Sequence, residues 1–71
     1  MGTADALKKL SHEQRLTLGE YGNIINSRRN EYKSEYMFKL QGYLTALKDL
    51  KIITESEKRC LYLYFNDRKG E

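Results

Sequence analysis

Along residues 30–50 the large apolar side chains return at steps of three and four: Tyr32, Tyr36, Leu40, Tyr43, Leu44, Leu47 and Leu50. At 100° per residue these positions fall in a stripe about 120° wide, the width expected of a helix with one face on a core. Glu31, Ser34, Gln41, Thr45, Lys48 and Asp49 occupy the opposite face. The pattern predicts a helix some 30 Å long that forms the spine of the domain. Phe38 breaks it. That ring projects about 180° from the centre of the stripe, among polar neighbours.

Two further helices announce themselves by their first turns. In Ser11-His12-Glu13-Gln14 the serine hydroxyl can accept from the Gln14 amide while the Gln14 side chain reaches back to Ser11, a capping box. A helix starting near His12 would align Leu18, Tyr21 and Ile25, with Ile24 at the edge. Gly19 and Gly22 would each weaken it by about 1 kcal/mol relative to Ala. Residues 26–30 are polar and suit a loop or a solvated helical stretch. Thr54-Glu55-Ser56-Glu57 is a second capping box, with both carboxylates placed against the positive end of a helix dipole. The helix it opens should run from residue 55 to about 66, a few residues beyond the spine, so the two should pack as an angled or antiparallel pair. Ile53 lies where a hydrophobic staple would form.

At residues 61–65 the period is lost. Leu61 and Phe65 share a face, yet Tyr62 and Leu63 point elsewhere. A helix that is apolar all round is either central to a bundle or covered by a second chain. A strand is the lesser alternative, on β-propensity alone. Near the N-terminus, Leu7 and Leu10 suggest one or two helical turns, with residues 1–10 and 67–71 expected to fray.

Composition sharpens the fold class. The 71 residues contain no Val, no Pro and no Trp. Strong helix formers dominate instead. The expectation is a single all-α domain over residues 1–71: a small three-helix bundle, with room for a short additional N-terminal helix. No apolar run approaches the roughly 20 residues of a membrane span. A single Cys60 and no visible secretory leader point to the cytoplasm.

Candidate chemistry is sparse. One His12 and one Cys60 do not provide a metal site or an activated nucleophile, and no glycine-rich phosphate loop is present. Glu55 and Glu57 read as caps. We therefore expect no enzyme, no metal and no cofactor. Phe38, Tyr62 and Leu63 are the candidate partner-binding residues, because aromatic and apolar side chains off the core stripe are typical of interface cores. The expected partner is a protein, with a homodimer included. The alternative is a small DNA-binding regulator. It would use Arg28, Arg29, Lys58 and Arg59, with six tyrosines as stacking surfaces and a loose helix-turn-helix around residues 51–54. Against it, the net charge is only +3, the turn lacks glycine, and Glu55 and Glu57 would face the phosphates.

Overall fold

The computed structural model describes residues 2–27 and 31–66. Among these the chain forms four helices and no strand: α1 Thr3–Lys8, α2 His12–Ile25, α3 Lys33–Asp49 and α4 Glu55–Asn66. The expected three-helix bundle is present, and the N-terminal option is realised as α1. Residues 61–65 are helical, as the preceding cap requires.

Both capping boxes close. The Gln14 amide donates to Ser11 Oγ at 3.1 Å, and Ser11 N–H donates to Gln14 Oε1 at 2.9 Å. At α4 the Glu57 amide donates to Thr54 Oγ1 at 3.1 Å, and Thr54 N–H donates to Glu57 Oε1 at 2.9 Å. Each box satisfies amides that a helix start would otherwise leave bare.

Helix α4 is the hub. It packs on α1, α2 and α3, while α2 also packs on α3. The core combines Ala6 and Leu10 with Leu18 and Ile25 of α2, Leu40, Leu44 and Leu47 of α3, and Ile53, Leu61 and Phe65 at and along α4. Residues 1–10 were expected to fray, yet Ala6 and Leu10 are buried. Lys9 adds an ion pair to Glu57 at 2.7 Å. Helix α1 packs on α4, which is remote in sequence. The expected fraying of residues 67–71 lies outside the described residues.

The spine helix is shorter at both ends than its stripe. Tyr32 precedes the first helical turn and is 51% exposed; Leu50 follows the last and is 70% exposed. The C-terminal cause is a turn. Ile52 N–H donates to the Leu47 carbonyl at 3.0 Å and Lys51 N–H to the Lys48 carbonyl at 2.9 Å, a Schellman closure. Its left-handed position, usually glycine, holds Lys51 at φ 64°. Leu50 keeps its helical bond to the Ala46 carbonyl at 3.0 Å, and the chain leaves the helix axis just after it, at Lys51.

Gly22 also differs from its sequence reading. A Cβ there would lie 3.0 Å from the Phe65 carbonyl oxygen and 3.2 Å from the Phe65 ring. The missing side chain lets α2 approach the last turn of α4. Asn26 Nδ2 then donates to that same carbonyl at 3.0 Å and to the Gly22 carbonyl at 2.8 Å. Gly19 meets nothing within 4 Å.

Candidate functional site

With α4 held by Phe65 against Gly22 and by Leu61 in the core, its remaining side chains have fixed directions. Tyr62 is half-buried, and Leu63 stands out to solvent, 64% exposed. On α3, Leu40 and Leu44 point inward, Met37 is half-buried, and Phe38 is 75% exposed. Positions later on α3 meet positions earlier on α4, Lys48 with Glu55 and residues 34–41 with Tyr62, so the two helices run in opposite senses along their contact. A 230 Å³ cavity lies among Gln41, Leu44, Lys58, Arg59, Tyr62 and Leu63. A second, of 160 Å³, is lined by Ser34, Met37, Phe38, Gln41 and Tyr62.

Gln41 and Tyr62 border both, so the cavities form one groove. It extends from Ser34 to Leu44 along α3, about 15 Å at 1.5 Å per residue. The structure thus brings Phe38, Tyr62 and Leu63 to one face. They play unequal parts: Tyr62 is a floor, whereas Phe38 and Leu63 are free edges. Met37, Gln41 and Leu44 were not anticipated as lining. The available signal was angular, since Met37 lies only about 20° beyond the core stripe on the side toward Phe38.

One end of the groove is cationic. Lys58 has the aliphatic stem and charged head of a snorkelling side chain, and its head lies 3.5 Å from Glu55. Lys48 lies 3.5 Å from the other oxygen of the same carboxylate. Arg59 reaches it only through Nε, at 4.0 Å, and its side chain is 79% exposed. Partial desolvation pushes the Glu55 carboxyl up, but Lys58 and Lys48 outweigh it and hold it below the usual carboxylate range. No carboxylate lines either cavity.

The candidate nucleic-acid contacts divide. Lys58 and Arg59 flank the apolar groove, whereas Arg28 and Arg29 lie outside the described residues. The tyrosines offer few free rings. Tyr21 packs on Tyr36 at 5.9 Å and edge-on to Tyr43 at 6.1 Å, Lys39 covers the Tyr36 ring at 4.5 Å, and Tyr64 meets Phe65 at 4.9 Å. Among the described residues, no group of three His, Cys, Asp or Glu side chains is arranged to hold a metal ion, and no helix is long and apolar enough to cross a membrane.

Compared with known proteins, the chain matches no family model, no curated protein sequence and no solved structure. What it does must be argued from the groove itself.

Proposed function

We propose that this is a small, non-enzymatic interaction or regulatory protein that holds a helical segment of another protein in the α3–α4 groove. The observation that carries the reading is the exposure of Phe38 and Leu63 on either side of two adjoining cavities. Covering such side chains is worth about 1.5–3 kcal/mol each. A groove about 15 Å long accepts roughly three turns of helix, and helix-in-groove recognition uses apolar anchors one or two turns apart. The cationic end gives the occupant a preferred charge. A lone, half-buried Cys60 supports a cytoplasmic setting, where it stays a thiol.

The test is selection of helical peptides on the immobilised protein, followed by binding to Phe38→Ala, Leu63→Ala and Leu16→Ala. Leu16 is exposed on α2, away from the groove, and serves as the control. Losing a buried anchor removes 2 kcal/mol or more, about thirtyfold in affinity. We expect that loss for Phe38→Ala and Leu63→Ala, with Leu16→Ala unchanged. Equal binding by all three would refute the reading. A homodimer that dissociates in sedimentation when Phe38 is truncated would replace it with self-association.

A further inference from the structure

The cationic end of the groove specifies the occupant more closely than its apolar floor does. Two cations and no carboxylate line the larger cavity. The acid beside them, Glu55, is shared by Lys48, Lys58 and Arg59 at 3.5, 3.5 and 4.0 Å, and Lys48 also meets Asp49 at 3.6 Å. Those separations exceed the 2.7–2.9 Å of a charge-assisted hydrogen bond, so the donors are only loosely engaged. Arg59 approaches Glu55 through Nε alone. The outer fork of its guanidinium is therefore open, in the planar arrangement that matches a carboxylate in bidentate fashion.

Leu63 lies four residues, one turn, beyond Arg59 on α4. Fork and apolar edge are thus neighbours on one helix face, and both border the same cavity. A ligand that satisfies both must carry an anion and an apolar group about one helical turn apart. Resting on the interaction-module reading, we infer that the α3–α4 groove recognises an acidic amphipathic helix, with an Asp or Glu on Arg59 and Lys58 and an apolar anchor three or four residues away in the cavity beside Leu63. A second anchor, further along, covers Phe38 and Met37. A nucleic-acid backbone fits less well. It would offer anions without the apolar anchor and would meet Glu55 amid the cations.

The experiment uses the full chain and a library of four-turn helical peptides in which acidic, basic and apolar residues are equally represented. Peptides that depend on Phe38 should be enriched in Asp or Glu one turn from a Leu, Phe or Met. For the best of them, the decisive measurement is a double-mutant cycle: peptide acid to amide against Arg59→Gln. Each change alone should weaken binding about tenfold, and the two together little more than either. The peptide-side change needs no alteration of the protein, so a folding defect cannot imitate it. Additive losses, or enrichment of neutral or basic peptides that still require Phe38, would overturn the acidic-helix inference alone. Failure to obtain any peptide dependent on Phe38 or Leu63 would overturn the underlying reading as well. Duplex DNA bound in a salt-dependent way, lost in Arg59→Gln yet indifferent to Phe38→Ala, would overturn both in favour of nucleic acid.

Discussion

Helix propensity and packing make opposite predictions at Gly22. By propensity alone, alanine in place of a helix-interior glycine gains about 1 kcal/mol. The structure places the new methyl 3.0 Å from the Phe65 carbonyl oxygen, 3.2 Å from its ring and 3.4 Å from its Cβ. The oxygen belongs to the α4 backbone and accepts from Asn26 Nδ2 at 3.0 Å, so it cannot swing away as a side chain could. To admit the methyl, α2 and α4 must separate by a few tenths of an ångström, which stretches that bond and loosens Phe65. Overpacking of this kind typically costs about 1–3 kcal/mol. Set against the propensity gain, the expected net loss is about 1 kcal/mol. Gly19→Ala meets no neighbour and should realise up to about 1 kcal/mol of gain. The two variants should then differ by about 2 kcal/mol, and in a domain of 60–100 residues each kcal/mol shifts Tm by about 4–8 °C. Thermal melts followed by far-UV circular dichroism should separate them by roughly 8–16 °C, Gly22→Ala below the parent and Gly19→Ala above it. Equal stabilisation by both would show that the close approach of α2 to α4 is not tight.

Two other perturbations probe single devices. Lys51→Gly relieves the left-handed strain at φ 64° and should raise stability by about 0.5–1 kcal/mol in urea titration; an unchanged or lower midpoint would refute the strain. Glu57 is held below its ordinary range, chiefly by the Lys9 hydrogen bond and then by the Thr54 amide. Because its folded value is depressed, its contribution is present above the usual carboxylate pKa and is lost as pH falls through the lowered one. Glu57→Gln should therefore flatten the decline of Tm on acidification, and a parallel decline in both proteins would rule the linkage out.

How far the residues foretold this arrangement depended on how local each signal was. The two capping boxes are decided within four residues, so Ser11–Gln14 and Thr54–Glu57 were legible, and with them the starts of α2 and α4. The inward-facing Leu40, Leu44, Leu47 and Leu61 followed from periodicity. Periodicity could not show where the stripe stops being covered: Leu50 has the right angle and keeps its helical bond to Ala46, yet at the end of the helix, beside the reversal at Lys51, it is exposed. Gly22 looked like a weakness because its compensation, the Phe65 carbonyl, is 43 residues away along the chain. The value of Ala6, Leu10 and Lys9 lies likewise in α4. Phe38 and Leu63 were marked as misfits by the pattern of their own helices. Their meeting on one groove needed the antiparallel pairing of α3 with α4.

The same pairing explains why the face can be kept exposed. A chain of this size buries only about 60% of the surface its unfolded form exposes, so its stability depends on the few large side chains in the core. Leu18, Ile25, Leu40, Leu44 and Leu61 are fully enclosed. Phe38 and Leu63 are largely solvated both folded and unfolded, and contribute little to that core. Their apolar area therefore remains available for association, where a covered anchor is worth about 1.5–3 kcal/mol. Tyr62 is different, because it is already partly buried against the core. Truncating Tyr62 would mix a folding loss with a binding loss, whereas Phe38 and Leu63 separate the two. This division, with Leu61 and Phe65 holding α4 in the core while Arg59 and Leu63 of the same helix face outward, lets one short helix both complete the fold and present the groove.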